Sequence, residues 1–172
     1  EAEAIKGNIS ILTDDVIYKL VENLHKARED KRKEIEKRRL LGLSSLCKLR
    51  ILKQHVFRNT NPAIFGVRVE AGKLVSRFNM IDETGEKVGK IKNMQSENKS
   101  VEEASEGQEL AISMPGINFE IKLGDKNFLY LDITEFQFRN FKKNKDLLSS
   151  KELGLLQEIA EIKRKGKADW GK

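Results

Sequence analysis

The stretch Val56–Leu74, VFRNTNPAIFGVRVEAGKL, decides the fold of the central part of the chain. Its alternation of apolar and polar residues is typical of β-strands, and the turn residues within it predict a hairpin. Pro62 interrupts the first run, and Gly66 and Gly72 stand where a strand favours larger side chains. Either the glycines relieve a strongly coiled strand, or they allow a ligand to approach the backbone closely.

The two-residue period of this hairpin continues on both sides of it, from Cys47 to Ile133. The candidate strands are CKLRIL, HVFR, AIFGVRVE, RFNMID, KVGKIKNMQ, ELAISM, NFEIKL and FLYLDI, separated by the turn signals DETGE, SEG and PG. Short strands at this spacing predict a closed antiparallel β-barrel over residues 47–133.

Helical patterns precede the barrel. EAEAIKGNISIL is typical of the end of an α/β unit, assigned to residues 1–13, and it indicates a piece of a longer protein. Thr13 predicts the N-cap of a long connecting helix within residues 14–46. Residues 26–39 are almost wholly charged and predict a solvated half of the helix, and the whole helix, about Asp14 to Leu41, would span roughly 40 Å. The earlier apolar positions follow helical spacing and are expected to lie against a core: Val16, Ile17, Leu20, Val21, Leu24 and Ala27.

A helical period returns over residues 134–172. TEFQFRNFKKN predicts a short helix, and Ser149 with Glu152 forms a capping box for a second one, KELGLLQEIAEIKRK. Trp170 either packs back onto these helices or contacts a partner. The predicted fold class is therefore mainly β with flanking helices: a remnant of an α/β unit, a long connecting helix, an antiparallel barrel and two C-terminal helices.

Charge and composition bound the functions that the chain can have. It carries a net charge of +6, which permits an anionic partner or only a solvated surface. Residues 48–133 are nearly neutral, so attraction to a polyanion is expected from residues 26–47 and 134–172, which carry +4 each. Cys47, the single cysteine, and His25 and His55 favour neither a disulfide nor a zinc site. No apolar run reaches about 18 residues, so we expect a cytoplasmic protein without a membrane span.

Catalytic patterns are not found. In GEKVGK three residues separate Gly85 from Gly89, where a phosphate loop needs four, and Ile91 follows the lysine. An acidic stretch could form a metal or acid–base site, although an exposed loop is the favoured interpretation because a shifted pKa needs burial: Glu102, Glu103, Glu106 and Glu109. We expect no catalytic residue, metal or cofactor in this chain.

Three stretches in the same order carry a resemblance to a known family. Val56–Leu74, DDVIYKL before the long helix, and LLSSKELGLLQEIAEIKRK with its final WG resemble the C-terminal part of archaeal and eukaryotic translation initiation factor 5B, the counterpart of bacterial initiation factor 2. The resemblance implies the end of a third domain, a connecting helix, a fourth-domain barrel of the elongation-factor second-domain type and two C-terminal helices.

The resemblance also implies a function. The whole protein would be a GTPase, with GTP and magnesium in a domain absent here, that joins the ribosomal subunits. Its barrel would bind the methionylated acceptor end of initiator tRNA, and its C-terminal helices would bind the acidic tail of initiation factor 1A. We expect a monomer. The alternative is a free-standing RNA-binding or ribosome-associated barrel without a GTPase parent.

The same resemblance implies site residues, each of which also has a purely structural interpretation as a strand bend, a surface residue or a packing residue. The acceptor-end residues are Arg58, Gly66, Arg68, Glu70, Gly72, Gly107, Leu110 and Ala111. The residues that would bind the initiation factor 1A tail are Phe136, Phe138, Leu153, Leu156 and Trp170. Bacterial relatives carry a basic residue and a cysteine where Glu102 and Leu110 stand here.

Overall fold

The first of the chain's two units contains one long helix. The computed structural model describes residues 16–41, 45–97 and 99–171, and the chain divides into units Glu1–Gly42 and Leu43–Lys172. Helix α1 (Ile17–Leu41) is continuous, and Lys31 pairs with Glu34 at 3.3 Å on its charged half. The expected N-cap Thr13 and the α/β remnant 1–13 lie outside the described residues.

The expected buried stripe on α1 is not seen among the described residues. Ile17 is 70% exposed, and Val16, Val21 and Leu24 are each more than 40% exposed. The helical spacing of these residues was identified correctly, but nothing in the described part of the unit covers them.

The second unit is built on one antiparallel sheet of nine strands. The strands are β1 (Cys47–Arg58), β2 (Ala63–Val75), β3 (Asn79–Asp82), β4 (Lys87–Lys90), β5 (Asn93–Ser96), β6 (Lys99–Ser100), β7 (Glu103–Ser105), β8 (Glu109–Met114) and β9 (Phe128–Leu131). Their order is β4-β3-β9-β1-β2-β8-β5-β6, and β7 pairs with the end of β2. The long strands β1 and β2 therefore form the centre of the sheet.

The two ends of this sheet are joined by one continuous segment. Strand β4 pairs with β3 and strand β5 pairs with β8, and only Ile91 and Lys92 separate β4 from β5. The Ile91 amide donates to the Phe78 carbonyl at 3.1 Å, and the Lys92 amide donates to the Ser113 carbonyl at 2.8 Å. The segment predicted as one strand, KVGKIKNMQ, thus bends and closes the sheet into a barrel, which confirms the predicted fold class.

The predicted strand NFEIKL is wrong, because it forms the short helix α2 (Phe119–Leu123). The Asn118 side chain accepts hydrogen bonds from the amides of Glu120 and Ile121, at 3.0 and 3.3 Å, and so caps a helical turn. Phe119 and Leu123, four residues apart, are buried together, and the Phe119 ring lies 4.8 Å from the ring of Phe65. Capping and helical spacing therefore outweigh the alternation of this stretch.

The C-terminal helices are α3 (Glu135–Lys143) and α4 (Ser150–Gly166), with a 3₁₀ turn at Lys145–Leu147 between them. The predicted capping box of Ser149 and Glu152 is present. Trp170 packs back onto α3, with its ring 4.9 Å from that of Phe138. Of the two interpretations of Trp170, packing onto the helices therefore describes this structure. Helix α4 lies against the barrel, where Glu158 accepts from Lys48 at 2.7 Å.

Gly72 has a structural reason to be glycine. Its φ is +76°, and a Cβ there would lie 2.0 Å from the Leu46 carbonyl oxygen. We expect Gly72→Ala to lower the free energy of unfolding by more than about 2 kcal/mol, because the left-handed conformation alone costs about 1–2 kcal/mol and a backbone carbonyl cannot rotate away. Urea titration followed by Trp170 fluorescence measures the loss.

The matched control is Gly107→Ala. Gly107 has a similar φ of +85° but no atom within 4 Å of its added Cβ, so only the conformational cost of about 1–2 kcal/mol applies. Equal losses in the two variants would contradict a close approach at Gly72.

Asp82 is a buried carboxylate, 3% exposed, at the turn between β3 and β4. Burial by itself raises the pKa of Asp82, but hydrogen bonds from the Thr84 hydroxyl and amide and the Glu86 amide, with the charge of Lys126 at 3.5 Å, outweigh it and hold that pKa below its ordinary value. Because the folded-state pKa is lowered, the stabilisation is complete above the unfolded pKa and is lost as the pH falls toward the folded one.

We therefore expect Asp82→Asn to cost about 1–3 kcal/mol at neutral pH, since it removes charge-assisted hydrogen bonds. The difference from the wild type should shrink below about pH 4. Asp125→Asn is the control, because the Asp125 side chain is 76% exposed and also contacts Lys126, at 3.6 Å. A pH-independent cost of Asp82→Asn in urea titrations would disprove the role of its ionised form.

Candidate functional site

A cavity of about 260 Å³ opens on the outer face of the barrel, where β1, β2 and β8 meet the end of β5. It is lined by Leu52, His55, Phe57, Gly66, Gln95, Ser96, Glu97, Glu109, Leu110 and Ala111. These residues come from four separate segments of the chain, so the site exists only because the barrel brings them together.

An irregularity in β1 shapes one wall of this cavity. Leu52 pairs with Gly66 and Val56 pairs with Phe65, so residues 53–55 bulge out of the ladder. The bulge brings His55 over Gly66, where an added Cβ would lie 2.9 Å from the His55 Cβ. Gly66 therefore makes room for a side chain of its own barrel at the edge of the cavity.

Strand β8 forms the opposite wall. Gly66 pairs with Ala111 and Val67 pairs with Leu110, so these two stretches lie side by side. Of the predicted acceptor-end residues, Gly66, Leu110 and Ala111 line the cavity.

The other predicted acceptor-end residues lie outside the cavity. Arg58 is exposed near the end of β1, and Arg68 is exposed between its neighbours on β1 and β8. Glu70 forms an ion pair with Arg50 on β1 at 2.8 Å. Gly72 makes the close contact described above, and the Gly107 amide donates to the Val69 carbonyl at 2.8 Å in the turn before β8.

Sequence reasoning missed most of the cavity wall. Phe57 is 67% exposed and offers an aromatic face beside the cavity, and Gln95, Ser96 and Glu97 line its far side. A large aromatic residue at an outward position of β1 is a signal that could have identified Phe57. The bulge that places His55 has no comparable signal in the sequence.

The cavity suits a ligand held by shape, stacking and hydrogen bonds. Its charged lining residues are Glu97 and Glu109, and neither lysine nor arginine contributes. Such a site favours a neutral or positively charged group over a bare phosphate. Stacking on an exposed aromatic ring such as Phe57 is a common way to hold an unpaired nucleobase.

A second depression, the helical groove, runs between α3 and α4. It has a volume of about 400 Å³ and is lined by Phe138, Lys142, Lys145, Leu153, Leu156, Gln157, Ala160 and Arg164. Three of the predicted partner residues, Phe138, Leu153 and Leu156, are thus together. Phe136 is 73% exposed but does not line the groove, and Trp170 supports Phe138 from behind.

Two of the four glutamates of the acidic stretch form ion pairs, whereas Glu109 lines the cavity. Glu103 pairs with Lys73 at 2.6 Å, and Glu106 pairs with Lys151. Within residues 16–41, 45–97 and 99–171 no three His, Cys, Asp or Glu side chains are grouped to hold a metal ion. Cys47 is fully buried, and burial raises the pKa of its thiol to about 12. The described helices include none that is both long and apolar enough to cross a membrane.

Known proteins are similar to this chain, both over the barrel alone and over its whole length. Residues 46–127 match the family described as Elongation factor Tu domain 4. Over 99% of its length the chain is 35% identical to a probable translation initiation factor IF-2 of Methanoculleus marisnigri, and over its whole length 36% identical to that of Archaeoglobus fulgidus. The chain thus matches part of the translation initiation factors of the IF-2/5B family.

The structural match agrees with that assignment. The crystal structure of GDP-bound aIF5B from Aeropyrum pernix covers 98% of this chain with a TM-score of 0.72 and 32% identity. The resemblance stated from the sequence is therefore confirmed. The initiation-factor chain spans 29% of the length of each of the two relatives and 28% of the crystallised protein.

Proposed function

We propose that the initiation-factor chain binds the methionylated acceptor end of initiator tRNA in the barrel cavity. The observation that carries the proposal is the combination of the exposed Phe57 ring with a cavity walled by Gly66 and Ala111. The small side chain of Ala111 leaves space beside the backbone, and the ring offers a stacking surface for the terminal base.

The carboxylates of the cavity support an aminoacylated ligand over a free RNA end. The α-amino group of an esterified methionine is partly protonated near neutral pH, and Glu97 and Glu109 supply negative charge at the cavity wall. A free RNA end brings phosphates but no such cation. The charged tRNA should therefore bind more tightly than the uncharged one.

The whole protein would bind initiator tRNA in this way during translation initiation. We propose that it is a cytoplasmic GTPase that binds GTP and magnesium in another domain and promotes joining of the ribosomal subunits. Two findings support this proposal: the chain is similar to translation initiation factors, and it spans less than a third of their length, which leaves room for another domain.

Phe57→Ala tests the cavity. Because removal of a stacking ring costs about 1–3 kcal/mol, we expect the affinity for methionylated initiator tRNA to fall roughly 5- to 150-fold. Fluorescence anisotropy with labelled tRNA measures the dissociation constant, and circular dichroism should show an unchanged fold since the ring is 67% exposed.

Phe136→Ala is the matched control, because this ring is 73% exposed and lies outside the cavity lining. Its affinity for the tRNA should equal that of the wild type. If the wild type binds charged and uncharged tRNA equally well, the cavity does not hold the methionyl group.

We further propose that the helical groove binds the acidic, apolar C-terminal tail of initiation factor 1A. Phe138, Leu153 and Leu156 provide an apolar floor, while Lys142, Lys145 and Arg164 provide positive charge at its edges. An acidic peptide with apolar side chains matches both properties.

Charge reversal tests the groove. Lys142→Glu with Lys145→Glu should weaken binding of the tail peptide by on the order of tenfold or more, because attraction becomes repulsion at two positions. Lys143→Glu with Lys165→Glu makes the same change of net charge at exposed positions that do not line the groove. Equal losses in both double variants, measured by calorimetry, would show that net charge and not the groove binds the peptide.

A further inference from the structure

A basic cleft lies at the bend that closes the barrel. It has a volume of about 400 Å³ and is lined by Arg77, Lys90, Ile91, Lys92, Asn93 and Pro115. The lining has three cations and no carboxylate, although residues 48–133 as a whole carry a net charge of only +1. In the described parts of the chain, none of the three cations forms an ion pair with an acid.

Arg77 is held in an unfavourable backbone conformation. Its φ is 72°, in the left-handed region that favours glycine. The Arg77 amide donates to the Ile91 carbonyl at 3.0 Å, so the closing bend fixes this conformation. Glycine would be less strained here, and no ion pair within the described chain compensates for the arginine. Arg77 is exposed, so its guanidinium group is available to contact a ligand.

We propose that the basic cleft binds backbone phosphates of the RNA strand whose terminus occupies the barrel cavity. Arg77 suits bidentate contact with a phosphate, and Lys90 and Lys92 add point charges beside it. Pro115 is exposed and gives the cleft an apolar surface that suits a ribose or base between phosphates. This inference rests on the proposed function, since it assigns the cleft to the same RNA.

Strand β5 connects the two sites. Asn93 lines the basic cleft, Gln95 lines the barrel cavity, and Met94 between them is buried. Asn93 and Gln95 therefore share the outer face of the strand and lie roughly 7 Å apart along it. An RNA strand whose terminus lies in the cavity therefore reaches the cleft within a few nucleotides.

The charges of the two sites are opposite, and each is complementary to the part of an aminoacylated RNA that would lie there. The cavity presents Glu97 and Glu109, while the cleft presents arginine and lysines. An aminoacylated RNA carries its one cation at the terminus and its anions along the backbone. The pair of sites thus fits the ligand in one direction and disfavours the reverse.

The test uses an RNA minihelix with a single-stranded ACCA end, prepared with and without esterified methionine. The variant is Arg77→Gln/Lys90→Gln/Lys92→Gln, and the control is Lys122→Gln/Lys143→Gln/Lys165→Gln, which removes the same charge at exposed positions outside the cleft. Dissociation constants are measured by fluorescence anisotropy from about 50 to 200 mM salt, where phosphate contacts dominate the salt dependence.

The cleft variant should bind the minihelix on the order of tenfold more weakly at the lowest salt. Its plot of log affinity against log salt should be shallower by about 2, since three single-strand phosphate contacts contribute about 0.7 each. The control should keep the wild-type slope. A cleft variant with the wild-type slope, or a control that loses as much as the cleft variant, overturns the proposal. So does an unchanged RNA slope together with lost binding of a polyglutamate probe, which would assign the cleft to an acidic protein.

The outcomes for cavity and cleft are separable. The cleft variant should still prefer the methionylated minihelix over the free one by the wild-type ratio. If the wild type shows no preference, the cavity proposal fails, and the slopes still decide the cleft. Arg77→Gly alone should weaken binding while keeping or raising the melting temperature, and a lower melting temperature would contradict the argument from strain.

Discussion

The bend at Ile91 and Lys92 is the constraint on which both proposed RNA contacts depend. Its two amides donate to the carbonyls of Phe78, which precedes β3, and Ser113 in β8, so one segment is hydrogen-bonded to both halves of the sheet. Without that closure, β5 would not pair with β8, and the far wall of the barrel cavity would be absent. The same bend fixes Arg77 and sets the basic cleft beside it. The same bend therefore connects the two halves of the sheet and positions the residues of both the barrel cavity and the basic cleft.

A nearly neutral barrel can still be strongly patterned in charge. Pairs such as Arg50 with Glu70 and Lys73 with Glu103 remove much of its charge from long-range attraction. What remains is unevenly placed, with carboxylates at the cavity and cations at the cleft. The net charge of +1 over residues 48–133 therefore says little about whether this surface attracts RNA. The expectation that attraction would come mainly from the helices overlooked this local separation.

The sequence predicted the architecture well where a local signal existed. The long helix, the barrel strands and the capping box at Ser149 all follow from period and capping residues within a few positions. NFEIKL failed because its alternation and its helical spacing coincide over so few residues, and the Asn118 cap decided between them. At the site, the pairing of Gly66 with Ala111 was anticipated only through the family resemblance. The bulge that positions His55 and the closure that positions Gln95 depend on pairings between distant residues, which one sequence does not encode as a local pattern.

Strand β1 links the barrel cavity to the helical groove in a single rigid element. Near its start, Lys48 pairs with Glu158 of α4 and lies over the rings of Phe128 and Tyr130. Burial, together with the nearby charge of Glu158, raises the pKa of Tyr130, so this contact stays uncharged on the tyrosine side through the physiological range. Near its end, the same strand supplies Phe57 to the cavity. Such a connection fixes where the two sites lie, but coupling between their ligands would require an element with two alternative arrangements. The pairing of β1 with β2 on both sides of the bulge, and of Lys48 to Arg50 with β9, provides a scaffold instead. On that basis the helical groove and the barrel cavity hold their ligands side by side, and each contributes its own binding energy to the complex.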